Sequence, residues 1–308
     1  MKIYEGFEDR RLKARPRSVA IGVFDGVHLG HQKILRDLFR RAKRLGARPT
    51  IVTFDPHPEK VLRPGNANPI LMSLPHRLRL FGELGVAETV VVRFNKRFAA
   101  VTHQRFLEEL LVGRLGMRSL SVGRDFRFGR GGRGDIGYLA ALSCALGYEF
   151  TAVPPFRLGG HVVSSTRIRK LIRSGRLKDA SRMLGRSVSV YGTVVRGRGR
   201  GKSVGFPTAN LNPHHETLPP PGVYAAWGIL DGRRLQAVLN LGSRPTFGDR
   251  ETALEAHFLR FHGDLYGREI ELDFVKKLRS VRRFAGREEL ARAIRADIRR
   301  AERVLGLH

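Results

Sequence analysis

The sequence predicts two folds in one chain. Residues 1–184 read as an α/β doubly wound parallel-sheet domain, and residues 185–308 as an all-β small barrel with a terminal helix. Three observations carry this. In the first part, apolar strand-like runs alternate with amphipathic helical stretches, the pattern of a parallel sheet covered by helices on both faces. After Gly185 the segments become short and alternating, and Gly and Pro interrupt them, as in antiparallel structure. At 308 residues the chain is long enough to bury two cores.

Taken in order, SVAIGVF (18–24), PTIVTF (49–54), ETVVVRF (88–94), SLSVG (119–123) and EFTAVP (149–154) are the expected parallel strands. Between them HQKILRDLFRRAKRL (31–45), LPHRLRLFGEL (74–84), HQRFLEELLVGRL (103–115) and IGYLAALSCAL (136–146) place apolar residues at helical spacing. The barrel strands are expected at SVSVYGTVVRG (187–197), GVYAAWGIL (222–230), LQAVLNLG (235–242), LEAHFLRF (254–261) and IELDFVKKL (270–278). The stretch REELARAIRADIRRAERVLG (287–306) closes the chain as a helix. The boundary falls near residues 184–188, and there are no internal repeats or low-complexity blocks.

Composition sets limits on function. Apolar residues make up 42% of the chain, which marks it as globular. The single cysteine, Cys144, lies in an apolar helical run and reads as a core thiol. The N-terminal stretch lacks a signal-peptide apolar region, and no run is long enough to span a bilayer, so a reducing cytoplasm is expected. The formal net charge of +29 has two readings. One is an anionic partner, nucleic acid or phosphorylated small molecules. The other is arginine on solvated faces; the basic residues are spread along the whole chain, which favours this second reading outside the motifs.

The stretch GVFDGVHLGHQKIL (22–35) stands where the first apolar strand hands over to a helix. The start of a helix offers unpaired N–H groups and the positive end of a dipole, which suits a phosphate. His28 and His31 are three residues apart and so share a helix face. Gly30, lacking a Cβ, admits a nucleotide closely. Imidazoles there can donate hydrogen bonds to charge building on a phosphorus atom during transfer. In a parallel sheet, ligands bind at the carboxyl ends of the strands, where this stretch falls. A second segment, VVSSTRIRKLI (162–172), follows the last strand of the first half. Ser164, Ser165 and Thr166 read as helix-cap residues, and Arg167 and Arg169 could reach phosphates.

Four look-alikes fail on their own terms. GKS at 201–203 lacks the leading glycine of a phosphate-binding loop, since Arg196 stands there. GRGGRG (129–134) satisfies G-x-G-x-x-G but starts well after the SLSVG strand, so a dinucleotide turn is poorly supported. RGRGRGK (196–202) is similar to RNA-binding tails, yet it is short and embedded in β structure. HHE at 214–216 sits in a Pro-rich loop with no further ligand nearby. In the second half, glycines at 197, 201 and 205 would let backbone amides wrap phosphates, and Thr208 and Asn210 in PTAN offer two neutral oxygens to a Mg²⁺ held mainly by substrate phosphates.

H-x-G-H followed by S-S-T-x-I-R is similar to the nucleotidylyltransferase superfamily. The fuller strings GVFDGVHLGHQ, TFDPHPEKVL, VGRDFRFG and VSSTRIRKLI resemble the adenylyltransferase module of bacterial bifunctional FAD synthetases. GTVVRGRGRGKSVGFPTANL, PPGVYAAW, NLGSRPTF and DLYGREIELDFVKKLR resemble their riboflavin kinase module, so the resemblance runs from about Val19 to the terminal helix. It implies phosphorylation of riboflavin to FMN, then adenylylation of FMN to FAD, with ATP as co-substrate and Mg²⁺ as cofactor. Residues 1–184 would be the FMN adenylyltransferase domain and 185–308 the riboflavin kinase domain. His28, His31, Ser164, Thr166 and Arg169 would serve the first reaction catalytically, with Gly22, Phe24, Asp25, Gly26 and Gly30 around ATP. Phe54, Pro56, Pro58, Asp125 and Phe128 would face the flavin, with 129–134 a mobile loop beside it. In the kinase half Gly197, Gly201, Lys202 and Gly205 would hold ATP, Thr208 and Asn210 the metal, and Glu255 of the family's E-x-H would be the base. Two positions depart from the family, Val281 in place of an acidic residue and Arg260 in LRF; Asp125 stands where many members have Asn. No membrane and no specific nucleic acid are expected as partners. Two alternatives stay open on sequence: an adenylyltransferase with an impaired barrel, and an arginine-rich RNA-binding protein on this scaffold.

Overall fold

The computed structural model describes residues 1–196, 205–214, 216–245, 250–261 and 263–306. Two compact units emerge: Met1–Ile70 with Leu74–Ser165, and Leu71–Ser73 with Thr166–His308.

The first unit is built on a six-stranded sheet. Its strands are β1 (Lys2–Tyr4), β2 (Arg17–Ile21), β3 (Arg48–Asp55), β4 (Glu88–Arg93), β5 (Met117–Gly123) and β6 (Glu149–Val153). Their order is β1-β4-β3-β2-β5-β6, and every pair is parallel. From β2 the chain winds outward through β3 and β4, then returns to β2's other side for β5 and β6. The order therefore reverses between β2 and β5, and the loop after β2 opens at that switch point. All five residues of β2 are buried, as a central parallel strand requires. Helices α1 (Leu29–Arg44), α2 (Pro58–Leu62), α3 (Leu74–Glu83), α4 (Lys96–Ala99), α5 (His103–Arg105) and α6 (Ile136–Ser143) connect the strands. In α1, Ile34, Leu35, Leu38 and Ala42 form the buried stripe, and Arg41, Lys43 and Arg44 sit in the last turn, where the dipole favours cations.

The second unit holds α7 (Ser165–Arg173, opening at the boundary), α8 (Leu177–Leu184) and a closed antiparallel barrel. After the short hairpin β7 (Arg157–Leu158) and β8 (His161–Val162) in the first unit, the barrel strands are β9 (Val188–Val195), β10 (Ala209–Pro213), β11 (Gly222–Leu230), β12 (Arg233–Pro245), β13 (Arg250–Phe258) and β14 (Glu269–Arg279). They close in the order β10-β13-β12-β11-β14-β9. The terminal helix α9 (Arg287–Leu305) lays Ala301 and Leu305 on Val223, Ala225, Val238 and Leu259 of the barrel's outer face. Arg279 of β14 grips Asp297 of α9 with three hydrogen bonds of 2.8–3.0 Å.

The fold class is as expected, with differences in detail. Strands β1 and β10 and the β7–β8 hairpin were not anticipated, because two to five residues carry too little periodicity to stand out. The expected helix over 103–115 leaves α geometry after Arg105 and runs as a π-helix over Phe106–Arg114; the Leu115 amide bonds to Leu110 O, five residues back. Cys144 is exposed, a correction to the core-thiol reading: α6 ends at Ser143, and the cysteine follows it off the buried stripe.

Candidate active sites

At the end of β2 the backbone makes a turn that sequence could not show. Phe24 and Val27 both have positive φ, +53° and +39°, unusual for residues with a Cβ. Phe24 is held there by burial, its ring set edge-on against Phe81 and His31 at 5.7 and 5.3 Å. The Val27 amide bonds back to Phe24 O across Asp25 and Gly26. His28 then caps α1: its Nδ1 accepts from the His31 amide at 3.3 Å. With Nδ1 accepting, the ring proton is assigned to Nε2, which leaves that nitrogen a donor. The two imidazoles stack, centroids 3.6 Å apart and planes 15° from parallel. The first turn of α1 contains no acidic residue, so its positive end is not offset from within the helix.

Ser165, expected as a cap, instead donates its hydroxyl to Asp25 O at 2.8 Å, a contact within the first unit. Ser164 immediately precedes α7, and Thr166 follows in its first turn, exposed. Arg169 is buried further along α7, in the second unit. The structure thus brings together Phe24, Asp25, Gly26, His28, Gly30, His31 and Ser165 within the first unit.

Beyond β3 and β5, Phe54 and Phe128 are buried members of one chain of aromatic contacts. Phe54 touches Phe94 and Phe98, Phe98 touches Phe106, and Phe106 touches Phe128, at centroid distances of 5.7–6.3 Å. Phe126 stacks on Phe128 at 5.6 Å. Pro56 is exposed, Pro58 opens α2 behind its cap His57, and Asp125 is exposed. The segment 129–134 is closed by a two-way backbone pairing of Phe128 with Gly134, and the Arg130 amide bonds to Val101 O. It is a self-bridged glycine loop, with no strand leading directly into it.

In the barrel, register does the assembling. Asn210 on β10 is the direct partner of Glu255 on β13, and Glu255 is in turn opposite Asn240 on β12. Direct antiparallel partners have Cβ atoms about 4.5–5.5 Å apart on one face. The buried Asn210 amide and the half-buried Glu255 carboxylate are therefore neighbours outside the barrel core, which takes up Leu254 and Ala256 on either side of Glu255. His257, two residues on and so on the same face, bonds through Nδ1 to Pro207 O at 2.8 Å, and Phe206 meets its ring edge-on. This fixes the segment leading to the half-buried Thr208 against β13. Gly205, at φ +86°, is exposed. Gly197, Gly201 and Lys202 lie outside the described residues. Of the two departures, Arg260 sits on the turn after β13, 3.8 Å from Glu302 of α9, and Val281 is exposed.

Sequence reasoning missed Arg77. It lies on the buried side of α3, 4% exposed, with its guanidinium on Val23 O, Thr53 Oγ1 and Phe54 O. The signal was present: Arg77 shares the helical stripe of Leu80 and Phe81, where a cation must find partners inside.

A parallel sheet with a capped helix start at its switch point, followed by a closed barrel, defines a doubly wound α/β domain in one chain with a small antiparallel barrel. A family model described as FAD synthetase matches residues 11–167, and one described as riboflavin kinase matches residues 184–305. The chain is 36% identical over 311 residues to the bifunctional riboflavin kinase/FMN adenylyltransferase of Escherichia coli K12, covering 100% of this chain and 99% of that one. With the protein of the same name from Bacillus subtilis 168 it shares 32% identity over 295 residues, 92% of this chain and 91% of that one. A crystal structure described as a macrolide-efflux protein from Streptococcus pneumoniae superposes with a TM-score of 0.83 at 26% identity, over 97% of this chain and 98% of that one. Among the described residues no helix is long and apolar enough to cross a membrane. The chain belongs to the bifunctional riboflavin kinase/FMN adenylyltransferase family.

Proposed function

We propose that the switch-point site joins AMP to FMN and that the Asn210–Glu255 face of the barrel phosphorylates riboflavin. The chain is a riboflavin kinase and an FMN adenylyltransferase, using ATP in both steps. The observation that carries the site assignment is the pair of constellations on one chain: stacked imidazoles at an anion-ready helix start, and a carboxylate held beside an amide across a strand pair.

In adenylyl transfer, an FMN phosphate oxygen attacks the α-phosphorus of ATP and pyrophosphate leaves. His28 through Nε2, and His31 beside it, donate to the charge that grows on the transferring phosphorus, where a single donor is worth about 10²–10³ in rate. Gly22, Phe24, Asp25, Gly26 and Gly30 shape the backbone around ATP; a Cβ on Gly30 would fill the space 3.0 Å from the His28 ring. Ser164, Thr166 and Arg169 hold phosphate oxygens. Phe54, Pro56, Pro58, Asp125 and Phe128 border the flavin ring.

In the kinase step, the ribityl 5′-hydroxyl attacks the γ-phosphorus, ADP leaves, and Glu255 orients the hydroxyl and accepts its proton. Gly197, Gly201, Lys202 and Gly205 hold the ATP phosphates. Thr208 and Asn210 would hold Mg²⁺, and the donor set fits: hard neutral oxygens, one on a buried amide, beside a carboxylate. The ion, when bound, neutralises phosphate charge. Functionally we divide the chain at 184/185. We place the protein in the cytoplasm, with small-molecule substrates and no specific nucleic-acid partner.

The test is a double dissociation. His31→Ala should slow FAD formation from FMN about 100-fold or more and leave FMN formation intact. Glu255→Gln should slow FMN formation by about 10²–10⁴ and leave FAD formation from supplied FMN intact. Parallel loss of both activities in a folded variant would refute the two-site assignment.

A further inference from the structure

Arg77 sits behind the adenylyl site in a position that the reaction steps above do not use. Its Nη1 donates to Val23 O at 2.6 Å, to Thr53 Oγ1 at 3.0 Å and to Phe54 O at 3.4 Å. Its Nη2 donates to Phe54 O at 3.3 Å and lies 3.6 Å from Asp55 Oδ1. Thr53 Oγ1 in turn donates to Val23 O at 3.2 Å. One guanidinium thus joins the backbone just after β2 to the end of β3. Val23 directly precedes Phe24, whose positive φ begins the turn that delivers His28.

Two physical consequences follow. A non-glycine residue in the left-handed region persists only where its surroundings hold it, and Arg77 holds the carbonyl immediately before it. The carboxyl ends of parallel strands also present carbonyl oxygens toward the ligand side, an unfavourable surface for a polyphosphate. A buried cation on those oxygens offsets it at low local dielectric. Burial pulls the guanidinium below its ordinary value, while the charges of Asp25 and Asp55 act the other way; at neutral pH it stays protonated.

We propose that Arg77 is a positioning residue for adenylyl transfer, fixing the β2–α1 turn that aims His28 and His31 and cancelling the strand-end carbonyls against the incoming ATP. The proposal rests on the switch-point reading of the adenylyl site. Arg77 touches no reacting atom. It acts through the Val23–Phe24 backbone.

The test compares Arg77→Lys, Arg77→Gln and Arg77→Met in the full chain, with FAD formation measured from FMN over a range of ATP concentrations. FMN formation and thermal stability are recorded in parallel, and His31→Ala serves as a reference. An ammonium can reach the three acceptors that share Nη1, so Lys should keep the FAD rate within about threefold. Met should lower kcat about 10–100-fold, the scale of an ångström misplacement at a reacting centre. Gln, which keeps donors but no charge, should fall between and raise the KM for ATP. FMN formation should stay unchanged in all three. A purely structural role would instead track thermal stability, with Lys restoring rate only as far as it restores melting. Met at wild-type rate while His31→Ala is inactive would overturn the proposal alone; His31→Ala at wild-type rate would overturn the site reading and the proposal with it. Should Met fail to fold, Lys no better than Gln in kcat and in KM for ATP would overturn it equally.

Discussion

Replacing Gly30 with Ala sets a gain in helix propensity against a loss at the site. Gly30 is the second residue of α1, with φ outside the left-handed region, so the backbone accepts Ala; propensity favours it by up to about 1 kcal/mol. The new Cβ, however, would lie 3.0 Å from His28 Cε1, 3.1 Å from its Nδ1 and 3.5 Å from Val163 O. Carbon atoms rest about 3.5–4.0 Å apart, so the ring must move by roughly half an ångström. It is buried, with His31 stacked on it at 3.6 Å, so it cannot move alone. The displacement weakens the cap bond from the His31 amide, a contribution of about 0.5–2 kcal/mol, and re-aims Nε2. Stability should therefore change by about 1 kcal/mol or less. FAD formation should fall about 10–100-fold, part of the 10²–10³ that a whole donor supplies. The assay is the initial rate of FAD formation from FMN and ATP, with FMN formation from riboflavin as internal control. A Gly30→Ala protein with wild-type FAD formation would refute the placement of His28, and equal loss of both activities would refute its confinement to one site.

Two further outcomes concern the framework. Asp297→Ala strands Arg279, one-fifth exposed, without its carboxylate; about 3 kcal/mol of barrel stability should be lost, seen as a lower melting temperature and earlier heat loss of FMN formation than of FAD formation. An unchanged melting temperature would show that α9 is held by its apolar face alone. Asp37 is pushed up by burial but held below its ordinary 3.8 by stronger combined hydrogen bonding from Ser121, Arg40 and Arg41. Its folded value lies below its unfolded one, so its contribution is present above about pH 4 and disappears as pH falls through the folded value. Asp37→Asn should lower stability at pH 7 and flatten the acid branch of the stability profile; an unaltered acid branch would contradict this.

Much of the candidate switch-point site was legible because its residues are local in sequence: two histidines and a glycine at a strand-to-helix turn. The turn's positive φ at Phe24 and the stacking of the imidazoles depend on burial against Phe81, which no spacing reports. Ser165 looked like a cap because Ser before an apolar run usually is one, but a carbonyl 140 residues away was the better-placed acceptor. In the barrel, Thr208, Asn210 and Glu255 were individually visible, whereas the pairing of Asn210 with Glu255 comes from the register of β10, a strand too short to recognise. Arg77 escaped because in so basic a chain an arginine reads as one more solvated cation, although its place on the Leu80–Phe81 stripe was there to be seen. Cys144 was misplaced because its apolar run outlasts the helix.

The central claim is that one chain performs both transfers in sequence. Purified protein incubated with riboflavin, ATP and Mg²⁺, with the flavins separated over time, measures this directly. Riboflavin should fall, FMN should rise first, and FAD should follow with pyrophosphate released in step. FAD formed from supplied FMN while riboflavin stays untouched would contradict the barrel's role, and no flavin conversion at all would contradict the account as a whole.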